Sequence, residues 1–328
     1  MIPRREFIGL LGGAVVAWPL TARAQQPAMP VIGFLNGLAA GDRPHLLAGF
    51  SRGLIEAGYV AGQNVSIEYR FAEHQTDRLR ALASDLIARR VAVIVATGGN
   101  NVPMAAKALT ATIPIVFTSG SDPVRAGLVS SIRRPEANVT GVSWFTDELG
   151  PKHLEIVREL LPEAGLVGVF VNPMNAESTY QQPIWEAAAR TLGVKLEILN
   201  ASTAGEIDAA FEKLAEMKAS AAVTTGDPFF SVRAVQLVVL TARTNIPMVS
   251  TNREFPLAGG LISYGNDIVD AYRRAGIQVG RILKGAKPAD LPIDRATKFE
   301  LVINRQTAKA FKIDIPSKLL ARADEVIE

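Results

Sequence analysis

Three short strand endings recur in the same order in the two halves of this chain, and that recurrence constrains the fold more than any other feature. "GFLN" (33–36), "VATG" (95–98) and "IPIVFT" (113–118) are matched by "VFVN" (169–172), "VTTG" (223–226) and "IPMVST" (246–251). The spacings run 61 then 21 residues from Asn36 to Thr97 to Thr118, and 53 then 26 from Asn172 to Thr225 to Thr251. A shared order of this kind predicts two related halves.

Between these endings, short β-rich apolar runs alternate with helical patterns. "VIGFLN" (31–36) reads as a strand and 42–58 as a helix, with Asp42 as its cap and Gly58 as its terminator. Strand 64–71, helix 76–90, strand 91–96, a helix from Asn101 and strand 113–118 follow. After "VTGVSWF" (139–145) the alternation restarts: helix 147–161, strand 166–171, helix 176–192, strand 194–199, helix 205–218, strand 220–225, helix 228–244 and strand 246–251. Regular βαβα order predicts parallel sheets covered by helices on both faces. The 328 residues suffice for two domains of about 130–150 residues each. The expectation is an α/β protein of two Rossmann-like lobes. Ligands bind at the carboxyl ends of strands in such sheets. Asn36, Thr97 and Thr118 would then face Asn172, Thr225 and Thr251 across a cleft.

The junction "VIVATGGNNVPMAAKAL" (93–109) is a buried strand, a glycine turn and a helix with Pro103 near its start. Gly98, Gly99 and Asn100 are therefore candidates to hold part of a small solute, its carboxylate in particular, with backbone N–H groups. "TSGSDPVRAGLV" (118–129) adds Ser119 and Asp122, and "NPMNAEST" (172–179) adds Asn172, Asn175 and Ser178. "TTGDPFFSV" (224–232) adds Asp227 and Phe229, and "STNREFPLAGGLISYG" (250–265) adds Arg253 and Tyr264. Such a lining suits a small zwitterion: hydroxyls and amides take a carboxylate, an acid takes an ammonium, and aromatic faces pack a side chain. Each has a plainer reading. Asp122 and Asp227 sit before proline as helix caps, Phe230 is core, and Arg253–Glu254 is an ion pair within its loop.

The N-terminus is an address. Arg4 and Arg5 precede a 14-residue apolar stretch, 7–20, and Ala22-Arg23-Ala24 forms a cleavage site before Gln25. The stretch is too short to span a bilayer of about 30 Å, so residues 1–24 read as a signal peptide and the mature chain has no stable membrane insertion. "RREF" resembles a twin-arginine signal, with general secretion as the alternative route. Loss of three of 35 basic and one of 32 acidic residues brings the net charge from +3 to +1, and there is no basic block, so nucleic acid is excluded as a partner. The chain has no cysteine, hence no disulfide, no cysteine-ligated metal and no lipid anchor at the cleavage site. This predicts a free periplasmic protein.

Motifs of catalysis are missing. Gly33, Gly37 and Gly41 do not make a dinucleotide fingerprint, "GRILKGAK" (280–287) departs from a P-loop, and there is neither a G-x-S-x-G elbow nor H-E-x-x-H. His45, His74 and His153 lack a partner at ligand spacing and read as surface or packing residues. No catalytic residue, metal site or cofactor is expected.

The stretches "IEYRFAE" (67–73), "DRLRALASDL" (77–86), "DPVRAGLV" (122–129), "NVTGVS" (138–143), "REFPLAGGLISYG" (253–265), "DAYRRAGIQVGRILKGAKPADLPI" (270–293) and "KFELVINRQTAKA" (298–310) resemble one family over the whole chain. That family is the solute-binding components of ABC transporters, in a tryptophan-binding-like subgroup of largely unassigned ligand. The resemblance implies a type I periplasmic-binding-protein fold with a hinge of three crossings. One lobe would comprise 30–145 with 265–295, and the other 146–264 with 296–328. It also implies a monomer that delivers an amino acid or another small carboxylate-bearing solute to an inner-membrane permease with its cytoplasmic ATPase. The alternatives are an exported enzyme on a doubly wound fold and a periplasmic ligand sensor. A repressor of similar fold would carry an N-terminal DNA-binding helix pair instead.

Overall fold

The computed structural model describes residues 29–328 apart from 136, 147, 148, 176 and 177, and for 178 and 179 only the backbone. The signal segment 1–24 lies outside the described residues.

The first lobe opens with β1 (Val31–Asn36), α1 (Pro44–Glu56), β2 (Ser66–Phe71), α2 (Leu79–Ala88), β3 (Val93–Thr97), α3 (Asn101–Lys107), β4 (Ile115–Ser119) and β5 (Val139–Ser143). Pro44 starts α1 with its ring where no amide donor is needed. Leu46, Phe50 and Leu54, four apart, turn one face inward. Asp42 does not cap this helix. Its carboxylate instead accepts from the Ala39 amide at 2.8 Å and pairs with His74 at 2.9 Å, closing the turn before the helix. Gly58, at φ +89°, ends it as expected.

The second lobe runs α4 (Leu149–Leu160), β6 (Leu166–Val171), α5 (Ser178–Leu192), β7 (Lys195–Asn200), α6 (Ala204–Glu216), β8 (Ala221–Thr224), α7 (Pro228–Ser231), α8 (Ala234–Thr244), β9 (Met248–Ser250), α9 (Glu254–Leu257) and β10 (Ile262–Asn266). The single helix expected over 228–244 is broken. Arg233 leaves helical geometry at φ −108°, ψ 20° and becomes the N-cap of α8. The chain then continues through α10 (Ile268–Leu283), β11 (Asp294–Arg295), β12 (Phe299–Asn304), α11 (Arg305–Ala310), α12 (Ser317–Leu320) and β13 (Glu325–Ile327).

The two sheets share one strand plan. The first runs β11-β5-β4-β3-β1-β2, all parallel; the second runs β13-β12-β10-β9-β8-β6-β7. The strands ending in Asn36, Thr97 and Thr118 lie side by side, as do their counterparts in the second sheet. The second sheet is mixed rather than fully parallel, because β12 pairs antiparallel with β10 after the chain's last passage between lobes.

Each sheet is covered on both faces. α1 and α10 bury Phe50, Ala271, Ala275 and Val279 against Phe34 and Val95, while the opposite face packs Leu86 and Val102 on Ile94 and Phe117. Burial of these apolar faces is the main stabilising term, at roughly 25 cal/mol per Å² removed from water. Helices α1 and α10 touch backbone to backbone. A Cβ on Gly53 would run into the Arg273 carbonyl and one on Gly276 into that of Phe50. In the second lobe Trp185, Val157 and Leu154 pack on one face, and Phe170, Phe211 and Leu237 on the other.

Three segments cross between the lobes side by side: after β5, after β10 and between β11 and β12. They are laced together by Ala296 N donating to the Ser143 carbonyl at 2.9 Å and Asp267 N to the Lys298 carbonyl at 2.9 Å, while Thr146 N ties the first crossing to the loop after β4 through the Gly120 carbonyl at 2.7 Å. This is the three-crossing hinge, and the strands' carboxyl ends face each other across it.

Candidate functional site

Between those strand ends lies a cavity of about 680 Å³, lined by both lobes and by the hinge. That is the size of pocket which buries a small organic solute.

The first-lobe wall is a hydrogen-bonded turn. Asn36 donates to Thr97 Oγ1 at 3.0 Å and accepts the Leu38 amide at 2.8 Å. These bonds press the Asn36 side chain against Gly98, which sits at φ +82° where a Cβ would collide with Asn36 Oδ1. Only glycine fits there. Ser119 donates to Asn100 Oδ1 at 2.6 Å, Asn100 Nδ2 donates to Ser121 Oγ, and the Ser121 amide donates to Ser119 Oγ at 3.0 Å. Each side chain in this ring thus has a partner within it. Thr118 is different: the residue lines the cavity and is 2 % exposed, and its buried hydroxyl has no hydrogen-bond partner among the described residues. A buried unpaired hydroxyl is costly unless something fills the space beside it.

The second-lobe wall is built on Asp227, the N-cap of α7. Its Oδ1 accepts the Phe229 amide at 2.7 Å and Asn172 Nδ2 at 3.2 Å, and its Oδ2 accepts Asn175 Nδ2 at 2.7 Å. Burial pushes the carboxyl pKa up, and those three donors with the nearby Arg233 charge pull against it. Asp227 is thus both a helix cap and a buried carboxylate in the cavity wall. Arg233, at the break between α7 and α8, lies 3.8 Å over the Phe229 ring and donates to the Phe229 carbonyl at 2.9 Å.

Aromatic surface comes from Trp144 at the hinge, Tyr272 on α10, and Tyr180 and Phe229 on the second lobe. The lobes already touch across the opening. Arg125 of the first stands 4.8 Å over the Tyr180 ring of the second, and Asn100 Nδ2 approaches Asn175 Oδ1 at 3.5 Å.

The cavity gathers Gly98, Gly99, Asn100, Thr118, Ser119, Asn172, Asn175, Asp227 and Phe229 from the residues singled out in the sequence. The side chain of Ser178 lies outside the described residues. Five others are placed elsewhere. Asn36 and Thr97 are bonded to each other behind the wall. Asp122 accepts the Val124 and Arg125 amides at 2.9 and 3.3 Å and closes its own turn. Tyr264 stacks on Phe299 with ring centroids 5.7 Å apart, in the second-lobe core. Arg253 does not pair with Glu254; it pairs with Glu300 at 3.2 Å and Glu325 at 2.7 Å at the far edge of the sheet.

The sequence reading did not single out Arg43, Arg125, Thr146, Tyr180, Arg233 and Tyr272, all of which line the cavity. A signal existed for two of them, since Arg125 and Arg233 each follow an Asp-Pro turn at a strand end. Tyr272 lies mid-helix on α10 and has no local mark. Among the described residues no cluster of three or more His, Cys, Asp or Glu side chains could hold a metal ion, and no helix is long and apolar enough to cross a membrane.

Two α/β lobes with one strand plan, closing on a solute-sized cavity at a three-stranded hinge, define a type I periplasmic-binding-protein fold. The chain belongs to the ABC transporter substrate binding protein family, whose model matches residues 28–327. It is 29% identical over 265 residues to a tyrosine-binding protein of Clostridioides difficile (strain R20291), covering 80% of this chain and 75% of that one. A conserved domain protein from Vibrio cholerae superposes with a TM-score of 0.84 at 26% identity, covering 91% of this chain and 99% of the other. An ABC domain from Streptococcus pneumoniae in complex with L-Trp gives the same TM-score and coverage at 24% identity.

Proposed function

We propose that this protein is the periplasmic solute-binding component of an ABC importer and that its cargo is a small carboxylate-bearing solute, an amino acid with an aromatic side chain foremost. The observation that carries this reading is the pairing of an unspent Thr118 hydroxyl on one wall with a buried carboxylate, Asp227, on the other. An α-amino acid meets both demands. Its carboxylate would lie against the first-lobe wall at Thr118, beside Gly98, Gly99 and Asn100, and its ammonium would offset the desolvated charge of Asp227. Trp144, Tyr180, Phe229 and Tyr272 supply faces for an aromatic side chain. The tyrosine-binding relative and the tryptophan complex point the same way.

The lobes divide as 30–145 with 265–295 and 146–264 with 296–328; the pairing of β11 with β5 and the packing of α10 on α1 support this. Residues 1–24 direct export, with twin-arginine as the favoured route, and are then removed. Solute contact with both lobes favours the closed form, which a membrane permease with its ATPase reads. The protein does no chemistry on what it holds.

The test is ligand-dependent thermal stability of residues 25–328 after unfolding and refolding to strip co-purified solute. At about 100-fold above Kd, binding adds about 2.7 kcal/mol and raises Tm by several degrees. Stabilisation by one class of amino acid, recovered unchanged, supports the reading. Consumption of the compound, or stabilisation by sugars or nucleosides alone, overturns it.

A further inference from the structure

At one rim of the cavity an ion pair joins the lobes. Arg43, in the turn that leads from β1 into α1, reaches across to Glu254, the first residue of α9 in the second lobe. Arg43 Nη2 donates to Glu254 Oε1 at 2.6 Å and Nε donates to the same oxygen at 3.1 Å, while His45 Nε2 lies 3.0 Å from it. The Arg43 side chain is only 9 % exposed and that of Glu254 21 %. Each element stands at the carboxyl end of a strand in its own sheet, Arg43 after β1 and Glu254 after β9, so the pair joins the two facing ends of the sheets. Arg43 also forms part of the cavity wall.

We propose that Glu254 is a closure latch: it captures Arg43 and His45 when the lobes come together and so sets how much of the protein is closed, and how long a solute stays, independently of what the solute is. The consequence for solute dwell rests on the solute-capture reading given above; the latch itself does not.

Three observations beyond distance support it. The Glu254 carboxylate has its other oxygen buried without a partner among the described residues, so Arg43 and His45 at the first oxygen are what compensate its desolvated charge. Burial raises its pKa, yet His45 and Arg43 outweigh that and hold it at about 2. Both partners come from the lobe opposite Glu254, so a hinge rotation that opens the cleft removes them together. Arg125 over Tyr180 and Asn100 against Asn175 also cross the opening, and the charges of Asp42 and Arg233 attract each other from opposite lobes. Glu254 is not among the residues that line the cavity, so its substitution alters the latch without removing a side chain from the walls where Thr118 and Asp227 meet the solute.

The chain has no native cysteine, so a pair of spin labels at Arg80→Cys and Ala209→Cys reports the gap between the lobes cleanly. Both positions are exposed, one on α2 beside the edge strand β2 and one on α6 beside the edge strand β7. The distance distribution is measured in the solute-free protein, in Glu254→Gln, in Arg43→Gln and in the double variant. The expected result is a loss of the short-distance population in each single variant, with the closed-to-open ratio falling about tenfold. The double variant should fall no further, because one contact can be broken only once. Unchanged distributions in both single variants, or a double variant whose shift is the sum of the two, overturn the latch. Far-ultraviolet circular dichroism confirms that each variant is folded. The comparison uses no solute, so it stands even if the proposed cargo is wrong; a solute that binds but leaves the wild-type distance unchanged would count against closure on capture instead.

Discussion

The Asn175 amide donates to Asp227 Oδ2 at 2.7 Å, and through it a loop after β6 holds the carboxylate that caps α7 inside the cavity. Asn172 does the same at Oδ1. Removing a donor from a buried carboxylate costs about 1–3 kcal/mol, because the charge is left desolvated and under-bonded. Asn175→Ala is expected to lower Tm by several degrees and to push the Asp227 pKa further up. Solute affinity should then fall earlier on the acid side than in the wild type, measured as Kd against pH between 4 and 7.

Thr118→Val separates binding from stability. The substitution keeps the shape of the side chain and deletes a hydroxyl that has no partner among the described residues. Folding stability is expected to stay equal or rise slightly, since a buried unsatisfied group disappears. Solute affinity is expected to drop about tenfold, the value of one hydrogen bond to a charged group. Equal affinity for wild type and variant by calorimetry would remove Thr118 from the site.

His153 makes stability depend on pH. The residue is fully buried beneath the hinge strand, its Nε2 within 2.6 Å of the Tyr264 carbonyl, and burial holds its pKa down at about 4 against that backbone contact. The ordinary value is 6.5. Above pH 6.5 neither the folded nor the unfolded chain binds the proton. Between 6.5 and 4 the unfolded chain takes it first, so stability falls with pH by about 3 kcal/mol in all. Chemical denaturation at pH 7 and pH 4.5 should show this loss in the wild type and a smaller one in His153→Phe, which keeps a ring between Trp185 and Tyr264.

Gly98→Ala is expected to disrupt the first-lobe wall. The residue lies at φ +82° with Asn36 Oδ1 in the place a Cβ would take. Strain at such a position costs about 1–3 kcal/mol, and the displaced Asn36 loosens its bond to Thr97. Loss of stability together with a weaker Kd is the expected pattern; a stable variant with wild-type affinity would show that the wall tolerates the side chain.

The fold was legible because it is carried by periodicity and repetition. Strand endings that recur in order gave two lobes, and β1, β3, β4 and β6, β8, β9 do occupy matching places in their sheets. The antiparallel β12 was not legible, since strand direction depends on where the chain re-enters a sheet and not on local pattern. The site was legible in part. The same Asn and Thr marks that located the strand ends misled about contact: Asn36 and Thr97 satisfy each other, and the next residues along line the cavity. Arg253 and Glu254 are neighbours in sequence, and a local pair is the natural reading. In three dimensions α9 turns one toward β12 and β13 and the other toward the opposite lobe. Tyr272 and Arg43 reach the cavity from elements whose placement only the assembled lobes determine.

The proposed site holds one small carboxylate-bearing solute between the lobes, with Thr118 and Asp227 on opposite sides of it. Titration calorimetry of refolded 25–328 with L-tyrosine and L-tryptophan, repeated on Thr118→Val and Asp227→Asn, tests it most directly. One site per chain is expected for at least one of these amino acids, weakened by each substitution, with the amino acid recovered intact. Absence of binding to every amino acid tried, or binding that neither substitution alters, would contradict it.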